Sequence, residues 1–277
     1  MAVPPMRAMR LQFHARRWLR GGLAVIAALA ALPSAAVAAP SDAPEEDDRL
    51  AVAVQFGVPP LGFRGEDGQL RGLQVDLARR LAQRLRGSPQ ALELLPVANR
   101  QRLQAVLSGQ ADLAIAHVTV TAARSRLVSF SRPYYLDGTA LVAAEPDVRE
   151  RADLAGRKIA LLQGSSAIAA VRHALPQVQL VAVDSYRAGL EALEADKAAA
   201  LAGDRSILSG WVDRHPAYRQ LPGRLSTEPI GIVLPKGAQH AGLRQQVNAA
   251  IADWRRSGWL QQTVRQWGLP QSQPDRG

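Results

Sequence analysis

Residues 111–135 read ADLAIAHVTVTAARSRLVSFSRPYY, and this stretch decides the fold. It begins as a buried strand, Leu113-Ala114-Ile115-Ala116, turns polar at His117 and Thr119, passes through Thr121 and reaches Arg124. A second short strand, Leu127-Val128-Ser129-Phe130, follows, and Pro133 stops it. A strand that empties into hydroxyls, backbone N–H groups and one arginine has the makings of a carboxylate cradle. A guanidinium grips a carboxylate through two parallel hydrogen bonds, and the threonines and amides add donors. On this stretch alone, a surface arginine behind ordinary strand threonines fits equally well. The flanking sequence decides between them.

Upstream, Leu50 to Phe56 (LAVAVQF) is nearly all apolar, as a central strand covered on both faces must be. It runs into Gly57-Val58-Pro59-Pro60, a turn-forming loop. Ligands of open α/β sheets sit beyond the carboxyl ends of the strands, so Gln55 and Val58 border the candidate site. A helix opens at Gly72 to Leu77, with Leu77, Leu81 and Leu85 on its inner face and Arg79, Arg80, Arg84 and Arg86 on a solvated one. Leu92 to Pro96 is the second strand. Asn99 is placed to N-cap a helix whose Leu103, Val106 and Leu107 face inward and which ends at Gly109. The alternation of strand and helix predicts a parallel α/β architecture.

Downstream, Asp137-Gly138 is a natural crossing point and Thr139 to Ala144 a strand. A further strand through Leu162 meets Gln163-Gly164-Ser165-Ser166-Ala167, where a Gly/Ser turn enters a helix and its N–H groups favour an anion. Alone, that turn is only a helix cap. Val178 to Val183 and Ala198 to Ala202 are strands, the latter ending at Gly203-Asp204, with Asp204 placed to cap the next helix. Glu228-Pro229 is a second crossing, and Ile230 to Leu234 a returning strand. Two C-terminal helices carry Trp254, Trp259 and Trp267, read as packing residues.

The chain has 277 residues, no cysteine and a formal charge of +10. Disulfides, thiolate chemistry and a lipid-modified N-terminal cysteine are excluded. Residues 1–38 have the pattern of an export signal: five arginines from Arg7 to Arg20, an apolar run from Gly22 to Leu32, and Ala36-Val37-Ala38 before a cleavage point. Without those arginines the charge falls to about +5, too mild and too dispersed for a nucleic-acid footprint. The five histidines are scattered without metal-ligand spacing, and no nucleophile-elbow or phosphate-loop motif occurs.

Four pieces in order resemble the family 3 periplasmic solute-binding proteins that serve amino-acid ABC importers. They are Val58-Pro59-Pro60-Leu61; Asp67-Gly68 through Gly72-Leu73-Gln74-Val75-Asp76-Leu77; Asn99-Arg100 with Leu107-Ser108-Gly109-Gln110-Ala111-Asp112-Leu113; and Thr119-Val120-Thr121-Ala122-Ala123-Arg124 with Val128-Ser129-Phe130-Ser131-Arg132-Pro133-Tyr134. The resemblance implies a two-lobed α/β fold of the type II periplasmic-binding-protein kind. The lobes would divide as 50–137 and 229–270 for the first and 138–228 for the second, after a signal peptide (1–38) and a disordered linker (39–49) and before a polar tail (271–277).

In such a protein Arg124 and the amide and hydroxyl of Thr119 hold a ligand carboxylate, Asp204 pairs with its α-ammonium, and Ser165 and Ser166 assist from the second lobe. Closure about the two crossings buries the ligand. The expected partners are an amino acid and an inner-membrane ABC permease. The protein is expected to be a free periplasmic monomer, not a lipoprotein, with no metal, cofactor or nucleic acid. The side-chain pocket departs from familiar relatives at Gln55, Val58, Asn99 and His117, the last replacing a common glycine. Arg100 could meet a side-chain carboxylate, or be an exposed first-turn arginine. No carboxylate for a cationic side chain is evident, which leans toward a polar or acidic amino acid. Two alternatives are a cyclohexadienyl dehydratase-like enzyme and a ligand-presenting partner of a sensor. The first needs a general acid near the second-lobe loop, and residues 163–170 hold none.

Overall fold

The structure is a computed structural model that describes residues 48–213 and 215–271. The expected leader and its cleavage point, most of the linker, and the tail after Gln271 lie outside the described residues. Among the described residues no helix is long and apolar enough to cross a membrane.

The chain opens with β1 (Leu50–Gln55), α1 (Leu73–Arg86), β2 (Leu92–Val97) and β3 (Leu113–Thr119). β1 pairs in parallel with both β2 and β3, which places it inside the sheet, and Val52, Ala53 and Val54 are fully buried. α1 turns Val75, Leu77, Ala78, Leu81 and Ala82 to the core and Arg79 and Arg80 to solvent. Gly72 starts it at φ 123°, where an added Cβ would stand 2.4 Å from the Leu61 carbonyl oxygen, so only glycine fits. Between β1 and α1 lies a small three-stranded sheet holding Gly57–Val58.

The chain leaves the first sheet along β4 (Tyr135–Asp137) and enters the second at β5 (Thr139–Ala143). There follow β6 (Lys158–Leu162), α2 (Ala167–Ala174), β7 (Gln179–Val183), α3 (Tyr186–Glu194), β8 (Ala200–Asp204) and α4 (Arg205–Val212). In the second sheet the order is β7–β6–β8–β5, with Arg219–Gln220 on the edge. The chain returns along β9 (Glu228–Leu234), antiparallel to both β3 and β4, and closes with α5 (Ala241–Arg256) and α6 (Trp259–Gln266). The first sheet therefore reads β2–β1–β3–β9, with Ser129–Phe130 on its edge and β4 also on β9. Each sheet is covered on both faces by its own apolar clusters. Two sheets, each with its own core, joined through β4–β5 and the approach to β9, make a two-lobed α/β architecture.

Three local expectations change. The second strand of the opening stretch shortens to Ser129–Phe130, and Leu127 is exposed, because Thr121 caps a helical turn at Ala122–Ser125 that carries the chain outward. The helix after Asn99 breaks into a short 3-10 turn, Asn99–Gln101, and Gln104–Leu107, with Leu107 at 48% exposure and not inward-facing. Ala98 occupies the cap position. The Asn99 side chain is engaged elsewhere, as described next.

Candidate functional site

β3 ends where the two lobes meet. Within it His117 sits at φ 52°, where the register against β9 shifts, a left-handed conformation that costs a side-chain-bearing residue about 1–2 kcal/mol. Two buried groups hold it there. Arg102 donates to the carbonyls of Ala116 (2.9 Å) and His117 (2.8 Å) and to that of Asn99 (2.9 Å). Burial, with Arg124 nearby, lowers the Arg102 pKa to about 10. On its other side the His117 ring places Nε2 2.8 Å from Asp137 Oδ2, with both side chains almost wholly buried. Burial opposes the charge on His117, yet the bond from Asp137 raises its pKa above the ordinary value. Burial likewise opposes ionisation of Asp137, and the His117 bond and charge hold its pKa below the ordinary value. The pair is a buried ion pair.

Asp137 and Glu228 face each other in register where β4 and β9 adjoin the crossings. Both carboxylates are buried, and both reach into the two lobes. Asp137 accepts the Gly138 and Ser206 N–H groups and the Ser206 hydroxyl as well as His117. Glu228 accepts four hydroxyls: Thr119 (2.8 Å) and Ser166 on Oε2, Thr139 (2.7 Å) and Ser226 (2.7 Å) on Oε1. Burial would raise its pKa, but the hydroxyl bonds, that from Ser166 foremost, bring it below the ordinary value.

Arg124 spans the lobes from its short helical turn. It donates to the Thr119 carbonyl (2.9 Å) and to the Gly164 carbonyl of the second-lobe loop (3.0 Å). Burial lowers its pKa, against the pull of Glu228 and Asp204. The same loop meets Asn99, whose amide donates to the Gln163 carbonyl (2.8 Å). Thr119 and Ser166 hydroxyl oxygens are 3.0 Å apart. Ser166 does not cap α2, since its hydroxyl is turned to Glu228. Ser165 Oγ is buried with no hydrogen-bond partner among the described residues.

Asp204 stands at the end of β8, at the cap position of α4 but without a capping bond. Its Oδ2 accepts from the Tyr186 hydroxyl (2.8 Å), which in turn accepts from the Asp204 N–H (2.9 Å). Burial raises the Asp204 pKa, opposed by the charge of His117. Donor atoms of His117, Asp137 and Asp204 lie within 4.8 Å of one another, a spacing a cation could use. His117 and Asp137 are already bonded to each other, so the trio is an ion pair facing a second carboxylate.

Gln55 and Val58 join Asn99 and Tyr186 around a cavity of about 120 Å³. Gln55 is locked to Gln74 through paired amide bonds of 2.7 and 2.8 Å, which uses its own side-chain oxygen. Asp184 and Ser185 also border this cavity, so a carboxylate is near it after all, contrary to the sequence reading. Asp184 is 71% exposed and lies 3.5 Å from Arg100, itself 68% exposed. Arg100 also reaches Gln163 (3.2 Å), so it ends on second-lobe surface groups, not in the cavity.

The structure thus gathers Thr119, Arg124, Ser166, His117 and Asp204 at the junction, and Gln55, Val58 and Asn99 beside it. The Thr119 hydroxyl, expected to help hold a ligand carboxylate, lies 2.8 Å from Glu228 Oε2 and 3.0 Å from the Ser166 hydroxyl, so here its one proton is engaged within this group. Sequence reasoning missed Asp137, Glu228, Tyr186, Arg102 and Gln163. The available signal was an acid beside each crossing in an otherwise apolar strand.

Two α/β lobes joined by two crossings, with charged and hydroxyl groups converging between them, define a two-lobed solute-binding protein. The model of the bacterial extracellular solute-binding proteins, family 3, matches residues 50–270, and the chain belongs to that family. It is similar to a glutamine-binding protein of Geobacillus stearothermophilus, 29% identical over 66% of this chain and 71% of that one. Among solved structures it resembles the solute receptor for L-cysteine of Neisseria gonorrhoeae (29% identical, TM-score 0.73, covering 78% of this chain and 89% of that one). It also resembles an ancestral arginine-binding protein bound to arginine (26% identical, TM-score 0.71, covering 79% and 98%). These relatives are named as binding proteins or receptors, and the chain is a binding protein, not an enzyme.

Proposed function

We propose that the protein captures a zwitterionic amino acid between its lobes and delivers it to an inner-membrane ABC permease, working in the periplasm after removal of residues 1–38. The observation that carries this reading is the charge layout: the Arg124 guanidinium, bonded to both lobes at the junction, lies within electrostatic reach of the Glu228 and Asp204 carboxylates. Arg124 supplies paired donors for the α-carboxylate. Asp204, with the lone pairs of Thr119 and Ser166, receives the α-ammonium. The lobes 50–137 with 229–270, and 138–228, rotate about the crossings, and contacts from both lobes make closure ligand-dependent. Relatives named for glutamine, cysteine and arginine support an amino acid and leave its side chain open. The cavity beside the junction is lined by Phe56, Val58, Val97 and Leu162 with Gln55, Asn99, Asp184 and Ser185 at its border, and those polar groups support a polar side chain.

A thermal-shift screen of the protein from residue 39 against the twenty amino acids tests this. A ligand at a hundredfold excess over its Kd adds about 2.7 kcal/mol of stability. A polar amino acid giving the largest shift is expected. No shift with any of them contradicts the reading.

A further inference from the structure

Glu228 is an ionised carboxylate with only 4% of its surface exposed, and no cation lies within ion-pair distance of it among the described residues. Its four acceptor positions are filled by hydroxyls. Two belong to Thr139 and Ser226, Thr139 lying opposite Asp204 in the register of the second sheet. The other two, Thr119 of the first lobe and Ser166 of the second, share one oxygen, Oε2. A carboxylate accepts and cannot donate, so both hydroxyl protons point toward it. Their oxygens, 3.0 Å apart, are left with lone pairs alone for any third group.

We propose that Glu228 is a positioning residue of the ligand site: it takes the hydroxyl protons of Thr119 and Ser166 from opposite lobes, fixes both oxygens as acceptors, and so makes the site demand a ligand with N–H donors. This rests on the amino-acid reading above and adds to it where the ammonium preference comes from. A neutral amide in the same place carries one carbonyl and one NH2: with the NH2 facing Thr119 and Ser166 it turns at least one hydroxyl proton toward the ligand and sets it against an ammonium, and with the carbonyl facing them only the charge is lost. In either orientation the negative charge that favours a cation disappears.

The test is Glu228→Gln, titrated by calorimetry with L-glutamine, or with whichever of the twenty amino acids the wild type holds tightest, and with the same acid lacking only the α-ammonium (glutaramate for glutamine). The expected loss is about 10- to 100-fold for the amino acid, the size of a hydrogen bond to a charged group, with a loss of less than about threefold for the desamino acid. Ser166→Ala should lose the same preference, and the double variant should lose no more than the worse single, because both act through one oxygen. Urea unfolding establishes that each variant folds. Should Glu228→Gln not fold, Ser166→Ala and Thr119→Val carry the test, with the same ligand-dependent loss expected. Equal losses for both ligands would mean a purely structural role and overturn the proposal, as would unchanged affinity. If the wild type binds no amino acid, the amino-acid reading itself fails, and this inference with it. If it binds one and Glu228→Gln is indifferent, only this inference fails.

Discussion

Asp137 and Glu228 occupy partner positions on adjoining strands, are equally buried, and each ties one lobe to the other. They are satisfied in opposite ways. Asp137 is balanced by a charge, the His117 imidazolium at 2.8 Å, in a bond that no ligand need touch. Glu228 is balanced by four neutral hydroxyls, two of which belong to the proposed ligand site. A buried carboxylate paired with a cation is a closed unit that holds the fold. One solvated by hydroxyls keeps its charge uncancelled and passes its orientation on to its neighbours.

The largest effect that would break this contrast is on stability at Asp137. Asp137→Ala strands a buried imidazole and the Ser206 hydroxyl, and about 3–5 kcal/mol of unfolding free energy should be lost in urea titrations. A cost under about 1 kcal/mol would place the pair among ordinary contacts. Glu228→Gln keeps the size and most of the hydroxyl bonds, so its stability cost should be smaller, about 1–2 kcal/mol by the same measurement. If Glu228→Gln costs more than Asp137→Ala, the roles are reversed.

The pH dependence sharpens the contrast further. His117 has a raised folded pKa, so its contribution is complete below the ordinary histidine value and disappears as pH rises through the folded one. Asp137 and Glu228 have lowered folded pKa values, so their contributions are present above the ordinary carboxylate range and disappear as pH falls through the folded values. Urea midpoints should therefore fall in the wild type as pH rises from the ordinary histidine value through the raised folded one, and His117→Gln should flatten that alkaline limb and leave Glu228's acid limb in place. An unchanged alkaline limb in His117→Gln would assign it to another group. The smallest effect belongs to Arg100. Its contacts to Asp184 and Gln163 are exposed, so Arg100→Ala should change ligand affinity by about twofold or less in calorimetry. A loss of tenfold would bring Arg100 into the side-chain pocket.

The sheets were legible because their signal is local. Unbroken apolar runs such as Leu50 to Val54 and the leucine stripe of α1 state their burial directly, and the structure places them there. Thr119, Arg124, Ser166 and Asp204 were legible only as members of a family pattern, since nothing in Gly164-Ser165-Ser166 alone separates a ligand loop from a cap. The hydroxyl–carboxylate network was not legible. Its partners are 109 and 62 residues apart in sequence, and a lone acid opening an apolar strand reads as the end of a loop. Asn99 was misread for the same reason: a good capping residue found a carbonyl 64 residues away and left the cap to Ala98.

The central claim is that the junction between the lobes holds an amino acid by its two charges, and Arg124 is where it can be tested most directly. Calorimetric titration of the wild type and of Arg124→Ala, each from residue 39, with the amino acid that gives the largest thermal shift is the measurement. Saturable one-to-one binding by the wild type, and a loss of about 100-fold or more in a variant with unchanged urea stability, is the predicted result. Equal affinity of the two proteins would contradict it.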